Sequence, residues 1–228
     1  MRATRLAAAA TAAITAATLA FAHGDVAPQA VNTDALPDVG EEWLAENPYR
    51  GMGEEVWRTA IDIGASGYNS NCARCHGLGA ISGGLAPDLR FLEAEEYGDS
   101  WFIERFRNGY TQGGVTKMPA FGDLLGQKAA WAIRTYIETR ADDAAMAEQS
   151  DALKTLRDEL ASWADGRGSP DPDAARARLT EIASKIGTLS GAPVADSIAA
   201  RAAGQIDGSA ASFKLAAETL TVGLSAAH

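Results

Sequence analysis

Both cysteines of this 228-residue chain fall in one five-residue stretch, Cys72-Ala-Arg-Cys75-His76. No other feature constrains the fold as strongly, because each chemistry open to such a stretch demands a different framework around it. Four are open: a disulfide, a zinc site, a redox-active dithiol, and covalent attachment of a haem. A disulfide closing so short a loop stabilises little, since the gain grows with loop length. Structural zinc wants four ligands, and the other histidines, His23 and His228, lie at or near the expected chain ends. A thioredoxin-like dithiol needs a βαβ pattern, and no segment here shows strand alternation of any length.

Haem attachment asks only for what is present. Two thiols at this spacing add to the two vinyl groups on one side of a porphyrin, and the adjacent histidine falls beneath the ring to bind iron. The reading is therefore one covalently bound haem c per chain, with Cys72 and Cys75 as thioethers and His76 as the proximal iron ligand.

A second iron ligand is then sought among the sulfurs of Met52, Met118 and Met146. Met118 stands in Lys-Met-Pro-Ala-Phe, in a glycine-bearing loop between two helical patterns, where Pro119 stiffens the chain beside the sulfur. Met52 lies between two glycines and Met146 on an Ala-rich helix. Both are read as apolar packing, and Met118 as the distal ligand. His/Met ligation raises the reduction potential and leaves no position for a substrate, so the expectation is an electron carrier and not an enzyme. The competing expectation is an open-site haem protein, peroxidase-like or gas-binding, with the C-terminal helices forming part of its site.

The N-terminus gives the compartment. Residues 1–22 read as an export signal: basic MRATR, an Ala-rich apolar run, and Ala20-Phe21-Ala22 as the cleavage site. The mature chain would start at His23 in the periplasm, with no membrane span after signal removal. It keeps 18 basic against 30 acidic side chains. That excess of acid argues against nucleic acid, which calls for a clustered basic face, and suits a partner with a basic patch.

Residues 23–40, with Pro28 and Pro37, read as an irregular lead-in, and 41–140 as a small helical domain. Its helices are expected in GEEVWRTAIDIG, in DSWFIERFRNG with Asp99 or Ser100 as cap, and in LLGQKAAWAIRTYIETR through Leu124, Trp131, Ile133 and Tyr136. TQGGVTKMPAFG reads as loop. Residues 141–228 are Ala-rich, with helical stretches at about 143–165, 172–188 and 194–222. Leu153, Leu156, Leu160 and Trp163 share one helix face, Asp171-Pro172 starts the next helix, and Leu179, Ile182, Ile186 and Leu189 continue the pattern. The expected fold class is all-α, a haem-binding helical domain with a C-terminal helical extension packing on it or on a partner.

Beyond the CxxCH motif the chain resembles the class I c-type cytochromes. Gly64, Tyr68 and Cys72 stand at that family's Gly-x3-aromatic-x3-Cys spacing, and Ile133 and Tyr136 resemble the apolar/aromatic pair of its last helix. The resemblance implies that these two helices cross at the glycine. Ala86-Pro87-Asp88-Leu89 resembles the segment whose proline carbonyl accepts the proximal histidine's hydrogen bond, which implies that Pro87 orients His76. HGDVAPQAV, EEWLAENPYRG, NCARCHGL, GGLAPDLR and AIRTYI together resemble the PedF-type periplasmic cytochromes. That implies a PQQ-dependent alcohol dehydrogenase as electron donor, with an oxidase or another cytochrome as acceptor.

Overall fold

The computed structural model describes residues 28–226. The expected export signal at 1–22 and the start of the lead-in lie outside the described residues. Within them the chain is helical apart from one short hairpin.

The first long helix, α1 (Glu54–Asn71), begins after Gly53 and carries Glu54 and Glu55 in its first turn, where carboxylates face the positive end of the helix dipole. Its inner face buries Ala60, Ile61, Gly64, Gly67 and Tyr68. A single turn, α2 (Ala73–His76), follows directly and carries the second cysteine and the histidine. The crossing partner of α1 is α4 (Gly122–Glu138), whose Trp131, Ile133 and Ile137 are fully buried. Each such side chain contributes about 1.5–3 kcal/mol by leaving water. The helix is not continuous from Leu124, as its pattern suggests. Gly126, at φ +74°, breaks its first turn, and Leu124 is left 63% exposed ahead of the break.

Between them lie α3 (Glu96–Asn108) and a hairpin. Phe102, Ile103 and Phe106 face inward as expected, and Gly109, at φ +67°, ends α3 with its amide donating to the Arg105 carbonyl. The expected cap at Asp99 or Ser100 is wrong by a full turn. The helix starts at Glu96, and Asp99 lies inside it, completely buried. The segment read as a loop holds β1 (Tyr110–Gln112) and β2 (Val115–Met118), paired antiparallel. Gly113 and Gly114, both at positive φ, make the tight turn that such a ribbon needs. Its side chains are exposed apart from Met118, so burial imposes no alternation on them.

The C-terminal segment is more divided than its three stretches suggest. It forms α5 (Asp143–Glu148), α6 (Ser150–Ala164), α7 (Pro172–Ser184), α8 (Ile198–Gln205) and α9 (Ala210–Ala226). Asp171 caps α7 by accepting from the Ala174 amide, but the helix stops at Ser184, and Ile186 reaches the core from the connection beyond it. Leu153, Leu156, Leu160 and Trp163 are all buried on α6, opposite Phe213, Leu220 and several alanines of α8 and α9. This is a core of its own, separate from that of α1, α3 and α4. Met146 belongs to it, whereas Met52, expected to pack, is 39% exposed.

Backbone and side chains sew the two bodies together along residues 88–94 and the end of α4. The Ala94 amide donates to the Ser190 carbonyl at 2.9 Å, and the Asp196 amide to the Thr139 carbonyl at 2.8 Å. Ser190 Oγ donates to the carbonyl of Glu138 at 2.5 Å.

Candidate functional site

Helix α1 delivers Cys72 at its C-cap, and α2 turns the chain so that His76 points inward while Cys75 stays at the surface. Gly77, at φ +82°, reverses the chain immediately afterwards; a Cβ there would lie 1.9 Å from the Ile81 carbonyl oxygen. The 78–86 loop then returns to bring Pro87 over the histidine. His76 Nδ1 lies 3.0 Å from the Pro87 carbonyl oxygen, a contact that requires Nδ1 to carry the proton and leaves Nε2 as the free ring nitrogen. The loop is itself pinned, with Ser82 Oγ donating to the Ala86 carbonyl and accepting from the Gly84 amide.

Cys72 and Cys75 are not joined in a disulfide. Burial pushes the Cys72 thiol up to about 12, with Cys75 adding to the shift. A reactive thiol works through a lowered pKa, so Cys72 is not poised as an attacking thiolate. Among the described residues, no three His, Cys, Asp or Glu side chains gather as a metal cluster, which removes a protein-only zinc site there.

The residues present do fit a haem. A histidine oriented through Nδ1 with Nε2 free is the arrangement for axial ligation, and two unpaired thiols precede it. The same segments hold apolar side chains out from the protein: Leu78 is 76% exposed, Leu85 84%, Phe91 62% and Val115 56%. Exposed apolar side chains on the segments that flank the motif and Met118 are suited to contact with an apolar group such as a porphyrin.

Met118 stands on a different element from His76, at the end of β2. It is partly buried and packs against the same core as Cys72, Trp101 and Leu125. Gly109 permits this, since a Cβ there would lie 2.5 Å from the Met118 carbonyl oxygen. The Phe121 amide donates to the Phe106 carbonyl at 2.8 Å, tying down the chain after Pro119. Arg74 and Lys117, beside the cysteines and Met118, are exposed cations.

Sequence reasoning missed several residues that hold this frame. Tyr68 Oη donates to the Gly77 carbonyl at 2.9 Å, directly behind His76. Asp99 accepts from Arg134 Nε at 2.8 Å and from both terminal nitrogens of Arg50 at 2.7 Å, and Arg50 also reaches Glu138 at 2.6 Å. Arg90 forks onto Asp88 at 2.8 and 3.1 Å and reaches Asp143 at 2.6 Å. Of these, only Asp88 with Arg90 and Arg134 with Glu138, four positions apart on one helix, lay close enough in sequence to suggest a pair.

Residues 59–137 match the family model described as cytochrome c oxidase, cbb3-type, subunit III. The cytochrome c550 of Pseudomonas aeruginosa is 54% identical over 121 residues, covering 53% of this chain and 83% of that protein. The chain belongs to the class I c-type cytochromes. It is a haem c protein with the group bound covalently, and an electron carrier. The quinohemoprotein alcohol dehydrogenase ADH-IIG of Pseudomonas putida is 36% identical over 84 residues, 37% of this chain but only 11% of that enzyme. The cbb3-type cytochrome c oxidase subunit FixP of Rhizobium meliloti is 27% identical over 126 residues, 49% of this chain and 38% of its own length. No solved structure matches. Among the described residues no helix is long and apolar enough to cross a membrane.

Proposed function

We propose that the chain is a single-haem periplasmic carrier, not an enzyme. It would take electrons from a PQQ-dependent alcohol dehydrogenase and pass them toward a terminal oxidase or another cytochrome. Cys72 and Cys75 would hold the group through thioethers, and His76 Nε2 and the Met118 sulfur would be its iron ligands. Pro87 keeps the His76 tautomer fixed. The bound haem supplies a one-electron couple. The chain supplies axial donors on two rigid elements, the α1–α2 corner and the hairpin, so that little need move when the charge changes.

The observation that carries this reading is the 3.0 Å approach of His76 Nδ1 to the Pro87 carbonyl, which leaves the other ring nitrogen available to bind a metal. The donor assignment draws support from the relation to a quinohemoprotein alcohol dehydrogenase, in which a similar sequence forms a small part of the enzyme. The acceptor assignment draws on the relation to a cbb3-type oxidase subunit. Exposed Arg74 and Lys117 give the attachment side of this acidic protein local positive charge for a short-lived encounter. The test is reduction of the purified oxidised protein by a quinoprotein alcohol dehydrogenase with ethanol. Rapid reduction supports the pairing, and no reduction with an active enzyme removes it.

A further inference from the structure

The C-terminal body does not merely lie beside the cytochrome core. One of its grips on that core is the segment that orients His76. Pro87 offers its carbonyl to His76, and the next residue, Asp88, caps the turn Leu89–Phe91 by accepting from the Arg90 amide at 3.0 Å. The Arg90 side chain is 7% exposed and closes back on the same carboxylate with two further bonds. Its remaining terminal nitrogen crosses to Asp143, in the first turn of α5. Four residues after Arg90, the Ala94 amide is held by the Ser190 carbonyl. Within the core itself Arg134 donates to the Glu93 carbonyl at 2.5 Å. The Pro87–Asp88 peptide is thus fixed from one side by Ser82 at Ala86, and from the other by a guanidinium anchored on the C-terminal body.

We propose that Arg90 and Asp143 are positioning residues for the proximal ligand: through them the C-terminal body sets the strength of the His76–Pro87 hydrogen bond, and with it the reduction potential. The inference rests on the reading of His76 as iron ligand. The mechanism is short. A hydrogen bond from Nδ1 to a well-held carbonyl makes the imidazole a stronger donor and favours ferric iron. Loosening the carbonyl weakens that bond and raises the potential. A planar fork held by two carboxylates fixes a peptide in a way that a single ammonium cannot.

The test uses the full-length holoprotein carrying Arg90→Lys, Asp143→Asn or Asp143→Glu. Arg90→Lys keeps the charge and removes the fork. Asp143 is exposed at the start of a helix, so Asp143→Asn leaves both cores intact. The midpoint is read by spectroelectrochemical titration in high salt, which screens the surface-charge change. The exchange rate of the His76 Nδ1 proton is read by NMR. At fixed ambient potential the reduced-to-oxidised ratio rises several-fold in Arg90→Lys and Asp143→Asn, up to about tenfold, or 59 mV for a one-electron couple. Proton exchange quickens, and Asp143→Glu restores both readings. Unchanged midpoint and exchange in both variants, with wild-type axial ligation, overturn the proposal alone. Absence of haem-shifted His76 ring signals in the wild-type protein overturns the ligand reading, and this proposal with it.

Discussion

Gly64 of α1 meets the backbone of α4 at Ala132 so closely that a Cβ would fall 1.9 Å from the Ala132 carbonyl oxygen. The two helices are in backbone contact there, and Gly67 meets Ile133 one turn on. Since Cys72 ends α1, this crossing sets where the attachment motif stands relative to the core. Gly64→Ala would force the helices apart and cost about 1–3 kcal/mol. Urea unfolding of the holoprotein measures it; a midpoint equal to wild type would show that the crossing tolerates a methyl group.

The quartet of half-buried Arg50 with buried Asp99, Arg134 and Glu138 ties the turn at Pro48–Gly51, α3 and α4 to one another. Asp99 and Arg134 are fully buried, so removing one charge strands the other. Asp99→Ala is expected to cost about 3–5 kcal/mol, read as a lower unfolding midpoint. Arg74→Ala, at an exposed cation, should change it by less than about 0.5 kcal/mol.

This quartet shows where the sequence stopped being legible. Asp99 looks like a helix cap because it precedes Phe102, Ile103 and Phe106, and local rules see only the near side of a helix. Its partner Arg134 lies 35 positions away, and long-range ion pairs leave no periodic trace. The hairpin at 110–118 escaped for a related reason: its faces are both wet, so nothing in the residue pattern alternates. What depends on local chemistry was readable. The CxxCH motif, Gly109 and Asp171-Pro172 each perform a task confined to a few neighbouring residues. The α1–α4 crossing was visible only through the family resemblance, since Gly64 alone does not name Ala132. The divided helices of 141–228 were not legible because alanine favours helix everywhere, and so marks no ends.

A hydrogen bond from Tyr68 to the Gly77 carbonyl stiffens the turn behind His76. Tyr68→Phe keeps the ring contact with Tyr136, at 5.3 Å between centroids, and loses only that bond. The expected cost is about 0.5–1.5 kcal/mol, measured by thermal or urea unfolding, with the axial-ligand spectrum unchanged.

The join between the two bodies should weaken in acid. Burial alone would raise the Asp196 carboxyl, but the guanidiniums of Arg201 and Arg140 outweigh it and hold the group below its ordinary value of 3.8. A depressed folded pKa contributes stability that is complete above the unfolded value and disappears as pH falls through the folded one. Asp196→Asn is therefore expected to cost about 1.5–3 kcal/mol at neutral pH, and the gap from wild type should close below about pH 4. Urea midpoints across that range measure it. A gap that stays constant in acid would deny the carboxylate this role.

The proposed binding of the haem iron by both His76 and Met118 leaves no coordination position open. An absorption spectrum of the purified holoprotein, oxidised and reduced, tests it directly in wild type and Met118→Ala. A low-spin ferric spectrum with a sulfur-to-iron charge-transfer band is expected in wild type, with loss of that band in Met118→Ala. A high-spin ferric wild type that readily binds carbon monoxide once reduced, or cyanide when oxidised, would contradict it.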